Sequence, residues 1–349
     1  MPTLADLPIP LDFAPMEAKL ADDLPVDPGW RFEPKWDGFR CLAFRAGGEV
    51  ELRAKSGKPL DRYFPDMVAA LKALPVERFV VDGELTISVN GELSFDALQM
   101  RLHPAESRVR KLAAATPATL VLFDCLADAK GHSLAAAPLT ERRAALEALF
   151  ARFKDREHVR LSSVTEDLKT ARGWLAQTGA ALDGVVAKRL DGPYLSGERA
   201  MLKIKRMRTA DCVVGGFRHE RDSRLVGSLL LGLYDEAGKL NHVGFTSTIT
   251  DAERPALTKR LEELAGGSGF TGAAPGGPSR WSDGHSAEWT PLKPELVAEV
   301  RYDHVTGDRF RHGTKFLRWR PDKAPWQCTL GQLRSEAAPE RLLATLSRV

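Results

Sequence analysis

The sequence has few of the residues that mark a disulfide-stabilised or zinc-binding protein. Its four cysteines, Cys41, Cys125, Cys212 and Cys328, lie far apart and form no Cys-x-x-Cys pair. The eight histidines are not clustered either. This spacing argues against both a disulfide framework and a zinc site, and the thiols are expected to be reduced, as in a cytoplasmic protein.

Segments that direct a chain to or through a membrane are also missing from the sequence. The first 20 residues contain prolines and acidic residues, where a secretory signal needs a basic start and an apolar run. No apolar stretch approaches the roughly 20 residues that span a bilayer. We therefore expect a cytoplasmic protein without membrane association.

An excess of charge of one sign is absent as well. Fifty basic and 47 acidic residues leave a formal net charge of only +3, which excludes a uniformly basic coat for nucleic acid. Any basic surface must therefore be local. The 349 residues, 43% of them hydrophobic and 28% charged, are typical of a globular chain with two domains.

One lysine occurs in an unusual local setting, the segment Glu33-Pro34-Lys35-Trp36-Asp37-Gly38-Phe39-Arg40. An amine is a nucleophile only when neutral, and a solvated lysine near neutral pH is about 4 kcal/mol short of that form. Burial and neighbouring cations such as Arg40 reduce this cost. The segment therefore suits an amine that faces a phosphate, although Lys-x-Asp-Gly alone also fits a surface turn with a solvated lysine.

Further segments place charged or aromatic residues in or beside apolar strands. They are Ala54-Lys55-Ser56-Gly57, the strand 79–86 with Asp82-Gly83-Glu84, the strand 118–125 with Phe123, the strand 183–188 beginning at Asp183, and the alternating segment 201–205 with Lys203 and Lys205. Taken singly, each has a structural interpretation. These interpretations are a hairpin turn at Asp82-Gly83, a core position for Phe123 and an amphipathic edge strand at 201–205.

Taken together and in this order, the segments resemble the motifs of the covalent nucleotidyltransferases, which include ATP-dependent DNA ligases, RNA ligases and mRNA capping enzymes. The resemblance implies that Lys35 takes AMP as a phosphoramidate. Lys203 and Lys205 would neutralise the α-phosphate and disfavour protonation of Lys35. Glu33 and Arg40 would belong to the nucleotide pocket.

The resemblance also implies roles for the remaining segments. Lys55 stands where ligases usually have an arginine that contacts the ribose and phosphate region or the DNA. Glu84 would lie near the ribose and the metal, and Phe123 would stack on the purine. Asp183 stands where glutamate is usual and, one methylene shorter, would meet a divalent cation directly or through water.

The region after residue 206 is rich in short strands. Strands at 212–217, 228–234, 240–245 and 296–302, turns at Gly238 and Gly244, and a helix near 251–264 predict a five-stranded OB barrel, with a mobile loop at 266–278. A basic cluster follows in the sequence. Its members are Arg301, Arg309, Arg311, Lys315, Arg318, Arg320 and Lys323, interleaved with Phe310, Phe316 and Trp319. It fits either a solvated basic face or a groove that follows phosphates.

Arg320-Pro321-Asp322-Lys323 resembles a further motif of the family, Arg-x-Asp-Lys, which implies that Arg320 and Lys323 contact ATP and orient the departing pyrophosphate. Around the motifs, the apolar spacing predicts a β-hairpin over 41–55. It also predicts helices over 64–74, 94–103, 138–153, 164–179 and, in a tail of open role, 340–346.

The expected fold is therefore α+β. Residues 1–206 would form an adenylation domain (nucleotidyltransferase, ATP-grasp-like) that holds the nucleotide between antiparallel sheets, and residues 207–349 an OB-fold domain with a C-terminal tail. A rotation about the linker near 206–210 would let Lys35 face ATP first and DNA later.

The expected function is ATP-dependent sealing of 5′-phosphate/3′-hydroxyl nicks in double-stranded DNA, most similar to the bacterial ligase C group and the ligase domain of ligase D. ATP is favoured over NAD because no zinc finger or NMN-binding segment is recognised. Mg²⁺ or Mn²⁺ would assist, the protein would be a monomer, and Ku-type or polymerase repair proteins would be its partners. An RNA ligase, a capping enzyme and a non-catalytic nucleic-acid scaffold are the alternatives.

Overall fold

The structure is a computed structural model that describes residues 2–153, 157–176, 182–276 and 288–333. It divides into two units, with the boundary between Arg206 and Met207. Among the described residues, no helix is both long and apolar enough to cross a membrane.

The first unit is α+β. Its strands are β1 Ala18–Ala21, β2 Trp30–Trp36, β3 Phe39–Ala46, β4 Glu49–Ala54, β5 Arg78–Val89, β6 Glu92–Leu93, β7 Ala118–Ala127, β8 Val159–Leu161, β9 Leu182–Arg189 and β10 Met201–Ile204. Its helices are α1 Pro65–Ala73, α2 Phe95–Arg101, α3 Glu106–Ala115, α4 Leu139–Ala151 and α5 Leu168–Ala176.

These strands form two sheets. One has the order β1-β10-β9-β2 and the other β4-β3-β5-β7-β8, with β6 paired to β5. All neighbours are antiparallel except β1 with β10 and β7 with β8. The apolar alternation of the central strands buries one face of the larger sheet against helices α1, α2 and α4, which makes the main core of the unit.

The chain passes from the first sheet to the second directly after Lys35. Lys35 lies near the end of β2, and only Asp37 and Gly38 separate β2 from β3. At Gly38 an added Cβ would lie 2.1 Å from the backbone oxygen of Leu85, so only glycine allows this turn to approach strand β5 so closely. The predicted tight turn therefore places Lys35 where the two sheets diverge.

Most sequence predictions for this unit are confirmed. The hairpin is β3 and β4, and the helices 64–74, 94–103 and 138–153 are α1, α2 and α4. Ser94 caps α2, its hydroxyl accepting a hydrogen bond from the backbone of Ala97 at 3.2 Å. The helix predicted over 164–179 is described only as α5, and its predicted end lies outside the described residues.

Two details of the first unit differ from the predictions. A hairpin turn at Asp82-Gly83 is wrong, because β5 runs through both residues and is hydrogen-bonded to β3 and β7 on its two edges. The backbone hydrogen bonds to strands on both sides outweigh the local preference for a turn. The pairing of β5 with β7 still shifts in register between Asp82 and Gly83. Helix α3 was not predicted, because only Val109 and Ala113 of its ten residues are buried.

The second unit is strand-rich. Its strands are β11 Arg208–His219, β12 Val226–Tyr234, β13 Leu240–Thr246, β14 Thr290–Pro291, β15 Val297–Tyr302, β16 Val305–Thr306, β17 Arg309–Phe310 and β18 Lys315–Trp319, and its helix is α6 Arg254–Glu263. Five strands follow the order β13-β12-β11-β15-β18, and a bridge between Thr246 and Thr314 joins β13 to the residue before β18. The predicted five-stranded OB barrel is confirmed.

The predicted turn at Gly238 is present, but the turn at Gly244 is wrong. Gly244 lies inside β13 with φ +155°, and an added Cβ would lie 2.9 Å from the ring of Phe310. Glycine is therefore needed there for close packing and not for a turn. The described part of the predicted loop, 266–276, has neither helix nor strand, although Phe270 within it is buried. The tail helix predicted at 340–346 lies outside the described residues.

Candidate active site

Lys35 is held beside a carboxylate and a second lysine. Its Nζ lies 2.5 Å from Oδ2 of Asp183, and Nζ of Lys205 lies 3.2 Å from the same oxygen. Strands β2 and β9 produce this contact, because Lys35 pairs with Gly184, the residue after Asp183. Gly184 has φ +141° and an added Cβ would lie 2.1 Å from the oxygen of Ile204, so glycine lets β10 bring Lys205 close.

The surroundings of Lys35 are positively charged. Burial opposes ionisation of Asp183, but the charges of Lys35 and Lys205 outweigh it and hold the pKa of Asp183 below its usual value. Burial and the charges of Lys205 and Lys35 also lower the pKa of Lys203. Two lysines thus share one carboxylate and a third lies near enough to be affected by their charges, an arrangement that favours binding of a phosphate. The sequence predicted these four residues for the site, but not that Asp183 contacts Lys35 directly.

Arg40 is fixed by residues that the sequence analysis did not assign to the site. Its guanidinium makes two 2.5 Å hydrogen bonds to the buried carboxylate of Asp82 and one of 3.2 Å to the backbone oxygen of Met16. The hydroxyl of Tyr194 donates to Asp82 at 2.5 Å and accepts from the backbone of Met16 at 3.0 Å. Burial raises the pKa of Tyr194, which keeps its hydroxyl a donor.

Glu84 is partly buried and its carboxylate has no ion-pair partner among the described residues. Burial raises the pKa of Glu84 to about 7, although the charges of Arg40 and Lys35 act in the opposite direction. In the part of the chain that the structure describes, no residue forms a hydrogen bond or ion pair with its carboxylate. A bound cation would stabilise the ionised form, so Glu84 fits the metal-binding role that the resemblance implies.

The described residues contain no group of three or more histidine, cysteine or carboxylate side chains arranged to hold a metal ion. Mg²⁺ is commonly held by one or two carboxylates together with water and substrate phosphates. Glu84 and Asp183 fit a site of that kind, in which most ligands are not supplied by protein.

Phe123 and Glu33 share a buried network of charges. The Phe123 ring has Cζ of Arg40 4.7 Å and Nζ of Lys188 4.8 Å from its centroid, and the residue is 8% exposed. Lys188 also pairs with Glu33 at 2.9 Å, and Arg142 makes a 2.7 Å hydrogen bond to Asp124 in the same network.

One carboxylate oxygen of this network, Oε1 of Glu33, has no hydrogen-bond partner. Burial raises the pKa of Glu33 despite the charge of Lys188, and Glu33 Oε1 is buried without a hydrogen-bond partner. The sequence analysis assigned no role to Lys188, Asp124 or Arg142. A lysine and an aspartate within otherwise apolar strands were the signal that could have revealed the network.

Lys55 lies at a more exposed edge of the unit. Its ammonium pairs with Glu17 at 2.9 Å, and Arg199 lies 3.7 Å from the same carboxylate. The side chain of Lys55 is 59% exposed, so this pair contributes little to stability. Both cations remain accessible to a further phosphate.

In the second unit, Arg320 and Lys323 follow strand β18 and share one acid. Arg320 Nη1 lies 2.9 Å from Oδ1 of Asp211, and Lys323 Nζ lies 2.6 Å from Oδ2. The other edge of the Arg320 guanidinium binds Asp322 at 2.8 Å, which lowers the pKa of Asp322 to about 2.

The rest of the predicted basic cluster is not a continuous row of free cations. Arg318 pairs with Glu299 at 2.6 Å, and Arg309 Nη2 lies 3.1 Å from Nδ1 of His242. Phe310 belongs to the core of the barrel, and Phe316 and Trp319 pack against that core. The aromatic residues therefore serve packing more than an open stacking surface.

The fold defines a class, a nucleotidyltransferase domain followed by an OB-fold domain. Comparison with known sequences identifies the family within this class. Residues 15–205 match the family model for the ATP dependent DNA ligase domain, and residues 222–323 match the ATP dependent DNA ligase C terminal region. Because the first match alone covers more than half of the chain, the protein belongs to the ATP-dependent DNA ligases.

Two curated relatives are similar in sequence to this chain over nearly its full length. The chain is 46% identical to DNA ligase C2 of Mycolicibacterium smegmatis, over 99% of this chain and 100% of that protein. It is 44% identical to DNA ligase C of Mycobacterium tuberculosis, over 94% and 95%. A solved Lig E DNA ligase, 18% identical, aligns with a TM-score of 0.57 over 88% of this chain and 99% of its own, which supports the fold.

The protein is thus an enzyme that uses ATP and a divalent metal and acts on nicked DNA. The expectations of an α+β adenylation domain, an OB-fold domain and a ligase C-type relationship are confirmed. The alternatives of a capping enzyme, an RNA ligase and a non-catalytic scaffold are set aside.

Proposed function

We propose that Lys35 is the nucleophile of this ligase. Its neutral amine attacks the α-phosphorus of ATP, forming an N–P bond while the P–O bond to pyrophosphate breaks, and the nitrogen then releases one proton to solvent. The observation that carries this assignment is the 2.5 Å contact of Lys35 with Asp183 next to Lys205. Lys203 and Lys205 would stabilise the negative charge that develops on the α-phosphate.

The nucleotide would be recognised by the buried network beside Lys35. Phe123 contributes an apolar contact for the purine, and the free oxygen of Glu33 an acceptor for an exocyclic amino group. Adenine carries an amino group where guanine carries a carbonyl oxygen, so this acceptor favours ATP over GTP. Arg40, oriented by Asp82, and Lys55 supply cations for the ribose and phosphate region or for the DNA.

Glu84 and Asp183 would hold the divalent cation, which when bound neutralises phosphate charge and favours the neutral form of a nearby amine. Asp183 has a second task that needs no metal. It fixes the Nζ of Lys35 through their ion pair, and Lys35 becomes reactive once its proton has left.

The two later steps use the AMP carried by Lys35. The 5′-phosphate of a nick attacks the adenylate, which breaks the N–P bond and leaves AMP on the DNA end. The 3′-hydroxyl then attacks the 5′-phosphorus, loses its proton and releases AMP. We assign the first step to residues 1–206, assisted by Arg320 and Lys323 on the departing pyrophosphate, and phosphate contacts along the DNA to residues 207–349.

The biological setting we propose is DNA repair, including end joining, in the cytoplasm at the nucleoid. The relationship to the ligase C group and to ligase D supports it, and Ku-type or polymerase proteins would be partners of a monomer. Sedimentation of the protein alone and with nicked duplex tests the monomer. Co-purification of a tagged chain, with and without nuclease, tests the partners.

The decisive experiment is label transfer from α-labelled ATP to protein first stripped of bound AMP with pyrophosphate. We expect acid-labile label with ATP and little with GTP, none in Lys35→Ala, and wild-type labelling in Lys130→Ala, which removes an exposed lysine outside the site. A protein that takes no label with any divalent metal would refute the assignment of Lys35.

A further inference from the structure

One buried carboxylate holds both cations of the segment 320–323. Asp211 is 8% exposed, and its two oxygens are divided between Arg320 at 2.9 Å and Lys323 at 2.6 Å. Neither the sequence motifs nor the family comparison assigns a role to Asp211. A single side chain thus fixes the spacing between a guanidinium and an ammonium.

The fold keeps Asp211 itself in place. It lies in strand β11, opposite Glu299 of strand β15. The side-chain amide of Gln332 accepts a hydrogen bond from the Asp211 backbone N–H at 3.0 Å and donates to its backbone oxygen at 3.1 Å. Because hydrogen bonds hold both the backbone and the carboxylate of Asp211, its position is fixed, and it determines where the charged groups of Arg320 and Lys323 lie.

The second edge of the Arg320 guanidinium is held much less firmly. Its Nε and Nη2 bind Asp322 at 2.9 and 2.8 Å, but the side chain of Asp322 is 62% exposed. A guanidinium edge with two parallel N–H donors matches a phosphate as well as a carboxylate. Exchanging an exposed carboxylate for a phosphate costs little, whereas separating the buried Asp211 from its partners would leave an uncompensated charge.

We infer that Asp211 is a positioning residue for the first step of ligation, holding Arg320 and Lys323 so that the Nε–Nη2 edge and the free ammonium protons can bind the departing pyrophosphate. Asp322 occupies that edge until phosphate replaces it. This inference rests on the proposed function of Arg320 and Lys323. Pyrophosphate takes part only in the first step, so the loss of Asp211 is expected to slow that step alone.

The test separates the steps of the reaction in the full-length protein. Asp211→Asn, Asp322→Asn and Arg320→Ala are compared with wild type in single-turnover transfer of AMP from ATP to the protein, and in sealing of a nick that already carries AMP on its 5′-phosphate. For Asp211→Asn we expect a loss on the order of 100-fold in the first assay and less than about threefold in the second. Asp322→Asn, the matched change on the exposed edge, should lose less than about fivefold in the first.

Each outcome is informative. An equal loss in both assays, together with a lowered melting temperature, would mean that Asp211 only stabilises the barrel, and normal transfer of AMP would also overturn the inference. If Asp211→Asn does not fold, Asp211→Glu keeps the charge but shifts it by one methylene, and it must still slow only the first step. Normal transfer in Arg320→Ala would instead refute the proposed role of Arg320, on which the inference depends.

Discussion

The surroundings of Lys35 and of Arg320 use the same residue types in different proportions. Around Lys35, Lys35 and Lys205 share the carboxylate of Asp183, Lys203 adds a third positive charge, and Glu84 has no ion pair. Around Arg320, Arg320 and Lys323 face the carboxylates of Asp211 and Asp322, and Glu299, which is paired with Arg318, lies 3.9 Å from Arg320. The first site has an excess of positive charge that a phosphate would neutralise. The second is already neutral, so phosphate must replace an acid that is present.

The excess of positive charge predicts that a cation lost beside Lys35 matters far more than a cation lost from an exposed ion pair. Lys205→Met removes a charge beside Lys35, and we expect transfer of AMP from ATP to fall on the order of 100-fold because the α-phosphate loses electrostatic stabilisation. Arg318→Met is the matched control, since Arg318 also pairs with a carboxylate but is 63% exposed. It should change the rate less than about threefold. Similar losses in both variants would show that the positive charge of Lys205 beside Lys35 has no special role in AMP transfer.

A pH-dependent effect of intermediate size is expected from Glu84. Its pKa is raised from 4.5 to about 7 in the folded protein, so the folded state binds a proton more readily than the unfolded state. The contribution of Glu84 to the free energy of unfolding is therefore fully present below about pH 4.5 and is lost as the pH rises through 7. In metal-free protein, Glu84→Gln should raise the stability at pH 8 by about 3 kcal/mol and by nearly nothing at pH 4.5.

Denaturant unfolding at the two pH values measures this gain. Mg²⁺ should stabilise wild type more than the variant at pH 8, because only wild type offers the Glu84 carboxylate to the ion. Equal stabilisation of the variant at both pH values would show that Glu84 does not titrate in this range.

The smallest effect is expected at Lys55. Its pair with Glu17 is exposed, so Lys55→Ala should change the free energy of unfolding by less than about 1 kcal/mol. If Lys55 contacts DNA phosphate, the same variant should lower the salt dependence of nicked-duplex binding by about one unit of the logarithmic slope. Binding titrations at several salt concentrations measure it. An unchanged slope would limit the role of Lys55 to the nucleotide or to the surface.

The sequence was sufficient for the elements that carry local signals. Lys35 before Asp37-Gly38, and Lys203 and Lys205 in an alternating strand, combine a charge pattern with a strand pattern, and both features depend only on neighbours in the chain. The alternative of a hairpin turn at Asp82-Gly83, suggested by these residues in isolation, is wrong because the central position of β5 is decided by partners on other strands. The turn predicted at Gly244 is wrong for the same reason, since glycine is required there by the close contact with the ring of Phe310.

The contacts that the sequence did not reveal join residues separated by long stretches of chain. Asp183 reaches Lys35 across 148 residues, and Asp211 reaches Arg320 across 109. Lys188 lies close to Phe123 only because two sheets bring their strands together. A carboxylate in a strand indicates that it needs a partner, but the identity of that partner depends on tertiary structure.

The pairing of β2 with β9 has a consequence for refolding and quality control. Lys35 lies opposite Gly184, and a slip of one residue between these strands would turn its side chain to the opposite face of the sheet. A misregistered molecule could be compact and strand-rich and yet accept no AMP. If Lys35 is the nucleophile, as proposed above, the fraction of a preparation that takes up one AMP per chain counts correctly registered molecules, which spectroscopic measures of strand content cannot do.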